Sequence, residues 1–279
     1  MNKVYLIVKK QYKLLARCVH YHSYEELTKT TKGWIEMENA QYIGLSRQMV
    51  LRTGMDLVAN NIANANTSGY RAQNPLFSEY VSDPKGARDP ISMAYDRGQY
   101  DVTRAGPIQL TGNELDVALI GPGFVGVKMP DGSTQFTRSG NFQINASREV
   151  VTASGYNVSD SSGAVLVIPL GATDVSIDKL GRVSTQEGQV GQIMVREFDN
   201  PQTLEPQGSG LYKTEELGNS PQNTAVLQGQ LEGSNVEPVM EMTRMIQISR
   251  EYQSMQRFIQ TDHDRQRTAI QRLGRPAGS

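Results

Sequence analysis

The last part of the chain most constrains its fold, because the 35 residues from Val239 to Leu273 contain neither glycine nor proline. Apolar residues recur there at the three-four spacing of a heptad seam, which predicts a helix that packs along a second helix. If helical throughout, the stretch spans about 52 Å at ~1.5 Å per residue, more than a small core needs. The seam residues are Met245, Ile248, Tyr252, Met255 and Ile259.

The start of this helix is predicted near residue 234. Ser234 and Glu237 fit a capping box, whereas Asn235 as the cap better accommodates Pro238, which then replaces an amide without a helical partner. The C-terminal helical segment is therefore predicted over 234–273.

A second segment with helical periodicity lies near the beginning of the chain. No proline occurs from Asn39 to Asn66, and Asn39 is placed to cap a helix. Turn chemistry at Asn66, Ser68 and Gly69 predicts where that helix ends, which gives a helical segment over 37–69. Its apolar stripe, at spacings of four, three and four, consists of Leu51, Met55, Val58 and Ile62.

The middle of the chain differs from both helical segments because it is rich in glycine and in short strand-like runs. Gly98 to Gly233 contains 19 of the 26 glycines, together with short runs rich in β-branched residues such as Phe124 to Lys128 and Val150 to Thr152. Dipeptides such as Asp131-Gly132 separate these runs with turns. We predict an antiparallel all-β domain over 98–233, barrel-like or sandwich-like, inserted between two terminal helices in an α+β fold.

Three further segments complete this organisation. Residues 1–36 carry seven basic and three acidic residues, and are either a basic arm or an appended segment that precedes a working start at Met37. Residues 70–97 show neither period and are predicted as an extended connector. Residues 274–279 form a tail.

Composition argues against an enzyme. One cysteine and three histidines leave few groups for a metal or acid-base site, so no metal and no cofactor is expected. The formal charge of -1 gives no bias toward nucleic acid. Gly121 to Gly126 matches G-x-G-x-x-G, but Pro130 and Asp131-Gly132 predict a hairpin where a pyrophosphate site needs a helix. A nucleotide-binding enzyme is a distant alternative, and no small-molecule substrate is expected.

The two helical segments are predicted to pair as a coiled coil. Each buried aliphatic side chain contributes about 1.5–3 kcal/mol, but ordering each residue costs about 1–2 kcal/mol, so a helix with one narrow seam needs a partner surface. We predict that the N-terminal stripe meets the C-terminal seam. Uncharged amides on other faces either contact further helices or are solvated. These are Asn60, Asn61, Asn64, Gln253 and Gln256.

Separated segments of the chain resemble the bacterial flagellar rod and hook proteins. Residues 39–70, NAQYIGLSRQMVLRTGMDLVANNIANANTSGY, are similar to their N-terminal signature, and residues 231–253, LEGSNVEPVMEMTRMIQISREYQ, to their C-terminal signature. The middle segments TGNELDVALIGPGFVGV, FTRSGNF and VVTASGYNV are similar to the family as well. The opening is most similar to proximal-rod members. The chain departs from the pattern at Val125, where Phe is common, and at 146–149, where a turn glycine is common.

The resemblance implies a structural subunit of the flagellar basal-body rod, the hollow shaft that spans the periplasm. It implies paired terminal helices in the inner wall of the tube and an outward β domain. In such a tube we predict that the Asn and Gln amides named above contact neighbouring subunits. The implied partners are other rod proteins, copies of the same chain and, during secretion, the flagellar type III export apparatus. A sister axial protein of the distal rod or hook is the alternative.

Overall fold

The computed structural model describes residues 41–82, 91–172 and 174–273. The predicted leader at 1–36, the cap at Asn39 and the tail at 274–279 lie outside the described residues. The described chain has two α-helices that flank a β-rich middle, as the predicted α+β class requires, and a short 3-10 helix at Pro201–Thr203 within that middle. None of its helices is long and apolar enough to cross a membrane.

Residues 41–63 form helix α1, and Pro238–Leu273 form helix α2. A series of turns over 64–69 ends α1. The last of these residues, Gly69, has φ +69°. It lies so close to Arg138 that a Cβ on it would be 2.4 Å from the Arg138 carbonyl carbon. Only glycine fits both the backbone conformation and this approach.

The predicted cap of α2 at Asn235 is wrong. The first helical hydrogen bond runs from Glu241 N to the Glu237 carbonyl at 3.0 Å, so Pro238 is the first helical residue, where its missing N–H costs nothing. The side chain of Asn235 bonds to other segments instead: its Oδ1 accepts from Ala72 N at 2.7 Å. The Ser234 hydroxyl accepts from Val236 N and does not complete a capping box with Glu237.

Two long strands follow α1. β1, Gln73–Ser82, and β2, Ile91–Asp101, pair in a two-stranded sheet. The stretch predicted as an extended connector, 70–97, therefore contains β1 and most of β2.

Fifteen shorter strands make up the described β-rich middle. The first eight are β3 Ile108–Leu110, β4 Val117–Ile120, β5 Phe124–Lys128, β6 Thr134–Thr137, β7 Phe142–Ile144, β8 Val150–Thr152, β9 Asn157–Val158 and β10 Ser176–Ile177. The others are β11 Arg182–Thr185, β12 Gly188–Gln192, β13 Val195–Arg196, β14 Glu205–Gly208, β15 Leu211–Lys213, β16 Ala225–Gln228 and β17 Gln230–Glu232. β5 and β8 have the bounds that the sequence pattern predicts.

The largest sheet has eight strands in the order β14-β15-β6-β5-β9-β8-β7, with β13 also paired to β5. Its two end strands, β14 and β7, are not paired with each other in the described chain. The sheet is therefore open, and the barrel-like form of the prediction is wrong. Smaller antiparallel pairs join β16 to β4 and β17 to β3. In chain order, β17 is the last strand before α2.

Two apolar clusters hold these sheets together. The larger contains fourteen buried residues, among them Val117, Phe142, Ile168 and Val183, each at most 2% exposed. The smaller is aromatic: Phe136 meets Phe198 edge-on at a centroid distance of 4.9 Å, and Phe124 meets Tyr212 at 5.6 Å. Such pairs contribute about 0.5–1.5 kcal/mol beyond their buried area.

The chain divides into two compact units. Among the described residues, one unit contains 41–53, 77–82, 91–97 and 248–273, and the other contains 54–76 and 98–247 without residue 173. Both helices and both long strands contribute residues to each unit.

Replacement of Gly140 tests the packing of the β-rich middle. A Cβ at Gly140 would be 1.7 Å from the Val117 carbonyl oxygen, so Gly140→Ala requires a backbone shift and should destabilise the protein by about 1–3 kcal/mol or more. Gly233→Ala is the control, because the nearest atom to its Cβ would be 3.3 Å away. Urea unfolding of both variants measures the difference, and equal midpoints would contradict this account.

Candidate assembly site

A buried ion cluster lies in the second unit, where β17 leads toward α2. Glu232 Oε2 accepts hydrogen bonds from Arg138 Nε at 2.9 Å and from its terminal nitrogen at 2.5 Å, and Glu232 Oε1 lies 3.1 Å from an Arg71 terminal nitrogen. The side chains of Arg138, Glu232 and Arg71 are 0%, 1% and 8% exposed. We call these three residues the ion cluster.

The ion cluster also bonds to the backbone around it. Arg138 donates to the carbonyls of Leu119, Gly121 and Gly123, and Glu232 Oε1 accepts from Gly106 N at 3.1 Å. Burial lowers the pKa of Arg138, although the adjacent Glu232 carboxylate raises it. A buried charge is tolerated when it is paired and hydrogen-bonded in this way.

Asn61 of α1 is the centre of a second buried hydrogen-bond network in the same unit. It is 0% exposed, its Oδ1 accepts from Gln73 N at 2.9 Å and from the Tyr70 hydroxyl at 3.1 Å, and its Nδ2 donates to the Gln73 carbonyl at 2.9 Å. Burial raises the pKa of Tyr70 to about 12, which keeps its hydroxyl protonated as a donor. The prediction that Asn61 contacts a neighbouring subunit is therefore wrong.

Asn61 and Asn235 connect α2 to the β-rich unit. Asn61 Nδ2 also lies 3.3 Å from Glu241 Oε2, one turn into α2. Just before that helix, Asn235 Nδ2 donates to the carbonyls of Val102 and Arg104 at 3.0 and 2.7 Å. The end of α1 and the beginning of α2 are thus fixed to the same strand ends of the β-rich unit.

In the first unit, α1 and α2 approach closely at a glycine. A Cβ at Gly44 of α1 would be 3.1 Å from Ile259 Cγ1 and 3.5 Å from the Met255 sulfur, two seam residues of α2. One turn further along α1, Arg47 forms an ion pair with Glu251 at 3.0 Å. The missing side chain at Gly44 lets the two helices come together.

The predicted apolar stripes are shielded to different degrees. Leu51 and Val58 of α1 are buried, at 6% and 2% exposure. The other stripe and seam residues are half-buried: Met55, Ile62, Met245, Ile248, Tyr252, Met255 and Ile259. Their pairing residue by residue as a coiled coil stays a prediction.

Other apolar side chains of the helices and long strands face outward. On α1 they are Tyr42, Ile43, Leu45 and Met49, and on α2 they are Val239, Met240, Met242, Ile246, Phe258 and Ile270. On β1 and β2 they are Leu76, Phe77, Tyr80, Val81, Tyr95 and Tyr100. Met49, at 65% exposure, lies two positions from buried Leu51. Large exposed apolar surfaces are typical of interaction sites.

These exposed apolar residues were missed by the sequence analysis, which assigned inter-subunit contacts to amides. Asn60, Gln253 and Gln256 are indeed exposed, whereas Asn64 is half-buried and bonds within the chain to Asn60 and Thr67. The signal that could have found the apolar residues is their position beside, and not on, the heptad seam.

The glycine-rich segment 121–126 has no nucleotide-site geometry. It forms a turn at Gly121, with φ +116°, and then enters β5 at Phe124, so a strand follows where a pyrophosphate site needs a helix. Among the described residues no group of three or more His, Cys, Asp or Glu side chains could hold a metal ion.

Comparison with known proteins decides the family. Three family models match: "Flagella basal body rod protein" at residues 42–71, "Flagellar hook protein FlgE/F/G D1 domain" at 118–185 and "Flagellar basal body rod FlgEFG protein C-terminal" at 227–272. The flagellar basal-body rod protein FlgF of Caulobacter vibrioides is 36% identical, over 86% of this chain and 99% of its own length. The chain belongs to the flagellar basal-body rod protein family.

Other relatives are also flagellar basal-body rod proteins. FlgF of Mesorhizobium japonicum is 31% identical over 85% of this chain and 99% of its own, and FlgG of Bacillus subtilis is 33% identical over 82% and 96%. This rod protein is a structural component of the flagellar basal body and not an enzyme, which confirms the prediction from composition and resemblance.

Each of the three matched segments of the rod protein supplies one member of the ion cluster. Arg71 ends the first, Arg138 lies in the second, and Glu232 lies near the start of the third. The cluster therefore joins the N-terminal, middle and C-terminal parts of the family pattern in this chain.

Removal of the Glu232 charge tests the ion cluster. Glu232→Gln leaves the fully buried Arg138 without its counter-charge and should lower the free energy of unfolding by about 3–5 kcal/mol. Glu237→Gln is the control, since it breaks an exposed pair with Arg104, with side chains 63% and 66% exposed, and should cost at most ~1 kcal/mol. Urea unfolding measures both losses, and similar values would show that the cluster is not a stabilising centre.

Added bulk at Gly44 tests the helix approach. Gly44→Leu should force α1 and α2 apart at Ile259 and destabilise that contact by about 1–3 kcal/mol. Ala59→Leu adds similar bulk at an exposed position of α1 and serves as the control. Amide hydrogen exchange along both helices should accelerate in the first variant alone, and unchanged protection would place the helix contact elsewhere.

Proposed function

We propose that this rod protein is a subunit of the proximal rod, which assembles through its helices with copies of itself and with other rod proteins. Two observations support the proximal position: the resemblance of the opening segment to proximal-rod members, and the higher identity to FlgF of Caulobacter vibrioides, 36%, than to FlgG of the same organism, 32%. A distal-rod subunit with the same assembly mechanism is the second candidate.

The observation that carries the mechanism is the division of each helix into a shielded and an exposed apolar face. Within the subunit, Leu51, Met55, Val58 and Ile62 pair with Met245, Ile248, Tyr252, Met255 and Ile259 as a coiled coil. The close approach at Gly44 and the Arg47–Glu251 ion pair support this pairing. The outward apolar residues, with Asn60, Gln253 and Gln256, then contact neighbouring subunits.

Each remaining part of the proposal rests on family membership. Before assembly the flagellar export apparatus carries the chain out of the cell, and the assembled rod spans the periplasm. A contact between different surfaces of successive subunits propagates into a helical tube, which suits a drive shaft.

Substitutions at two nearby positions of α1, Met49 and Leu51, separate folding from assembly. Met49→Asp places a charge on an exposed site, so the free energy of unfolding should change by less than about 0.5 kcal/mol while incorporation into basal bodies and motility are lost. Leu51→Asp buries an unpaired charge and should cost at least ~2 kcal/mol in the purified protein. Met49→Leu is the conservative control and should support motility.

The readouts are urea unfolding, swimming in soft agar and the protein content of purified basal bodies. Normal swimming and normal incorporation of Met49→Asp would contradict the assembly role of this face. Labelling of the subunit in purified basal bodies distinguishes the proximal from the distal rod.

A further inference from the structure

Asp262 is the most deeply buried residue that the structure describes on α2, and it is a carboxylate. It is 6% exposed, whereas the rest of 238–272 is half-buried or exposed. Asp262 lies three residues after Ile259, so it takes the next position in the three-four spacing of the seam. Its two oxygens accept hydrogen bonds from the same helix, from an Arg265 terminal nitrogen at 2.6 Å and from Gln266 Nε2 at 3.1 Å. The apolar seam therefore ends at a buried, hydrogen-bonded carboxylate.

Glu241 takes the equivalent position at the other end of the seam. It precedes Met245 by four residues, and its side chain is 13% exposed. Like Asp262, it forms an ion pair with the arginine three residues further along: Glu241 Oε1 lies 3.3 Å from an Arg244 terminal nitrogen. The two carboxylates are 21 residues apart, which is three heptads, so they enclose the apolar part of the seam.

The two paired arginines lie beside the seam, because Arg244 and Arg265 remain 49% and 63% exposed while their carboxylates are shielded. A helix that packs on the seam therefore meets a carboxylate near each end. An ionised carboxylate accepts hydrogen bonds but cannot donate one. Such a helix pairs well only if it brings a donor, or at least no carboxylate of its own, to these two positions.

Helix α1 satisfies this condition. Its Asn61 Nδ2 donates toward Glu241 Oε2 at 3.3 Å, which provides a donor at one end. The described part of α1 contains one carboxylate, Asp56, which is exposed and does not belong to the apolar stripe. Among the described residues of the two helices, no carboxylates are therefore brought together when α1 covers the seam.

A second α2 does not satisfy the condition. In a parallel pair with aligned seams, each seam position faces the same position of the other copy, so Asp262 faces Asp262 and Glu241 faces Glu241. In an antiparallel pair, Asp262 faces an apolar residue such as Met245, which has no donor. Both arrangements remove carboxylates from water against a surface that cannot bind them.

We propose that Asp262 and Glu241 determine which helix covers the seam, because they accept α1 and exclude the α2 of another copy. The seam is thereby kept for the partner within the chain, and contacts between copies are left to the outward apolar residues. Specificity of this kind comes from a penalty on the wrong partner as well as from attraction to the right one. The inference rests on the proposed pairing of α1 with α2 and names the residues that make that pairing selective.

Thiol cross-linking of the full chain tests the role of Asp262. In a Cys18→Ser background, Tyr252→Cys places one thiol near the middle of the seam, where a short bis-maleimide joins two α2 helices in either orientation. Gly44→Leu is added to every protein, since it weakens the competing approach of α1 at Ile259. We expect few dimers while Asp262 is present. Asp262→Leu should lower the protein concentration at which half of the chains cross-link by about tenfold or more.

Asp264→Leu is the matched control. It makes the same chemical change two residues away, at a side chain that is 61% exposed and lies off the seam, so it should leave cross-linking unchanged. Asp262→Glu keeps the carboxylate and should also leave it unchanged. Asp262→Asn removes the charge and lets two facing amides bond to each other, so it should promote dimers and replaces Asp262→Leu if that variant folds poorly. Equal cross-linking of Asp262→Leu and Asp264→Leu would overturn the proposal, as would an increase with Asp262→Glu.

The pairing of α1 with α2 is judged separately, by amide exchange in Gly44→Leu. If protection falls there but Asp262→Leu and Asp262→Asn do not increase cross-linking, the pairing stands and the role of Asp262 is wrong. If protection is unchanged but Asp262→Leu cross-links and Asp264→Leu does not, the pairing with α1 fails and the exclusion of a second α2 stands. Detection of the wild-type chain in purified basal bodies tests the rod assignment independently of both.

Discussion

A single buried carboxylate determines how the β-rich unit is assembled. Glu232 binds Arg71, which follows α1, Arg138, which follows β6, and the amide of Gly106, which follows β2. A buried charge that loses its partners is costly, so these segments have to converge on the strand that carries Glu232. Since that strand leads into α2, the cluster fixes the end of one helix and the start of the other against the same part of the sheet.

The helices use their apolar residues in two ways. Leu51 and Val58 are shielded within the subunit, whereas Met49 and Ile246 remain 65% and 54% exposed. A 36-residue helix cannot cover all of its apolar surface with one partner helix, because a heptad seam occupies only a narrow stripe. In the proposed assembly, each new subunit would bury the apolar residues that the isolated chain leaves exposed on the previous one.

The sequence predicted the features that depend on local periodicity and missed those that depend on distant partners. The heptad spacing and the absence of glycine and proline placed α2 to within a few residues, and β-branched runs placed β5 and β8. β1 and β2 gave no alternating pattern because much of both faces is exposed, at Tyr80 and Tyr95 for example. Asn61 and Asn235 looked like surface or capping residues, since their partners at Gln73 and Val102 are identified only by the fold.

Two positions that the sequence analysis expected to depart from the family pattern, Val125 and the segment 146–149, lie where changes can be absorbed locally. Arg148 lies in the segment 146–149, where the resemblance led us to expect a turn glycine, and it has φ +68°, a conformation that is strained for a residue with a Cβ. Its guanidinium donates to the carbonyls of Ile168 and Pro169 at 3.3 and 2.8 Å, bonds that glycine cannot make and that offset the strain. Val125 is buried between Thr137 and Val195 of neighbouring strands, where a smaller side chain needs only nearby repacking. The ion cluster has no such freedom, because its members come from three segments and each one balances the others.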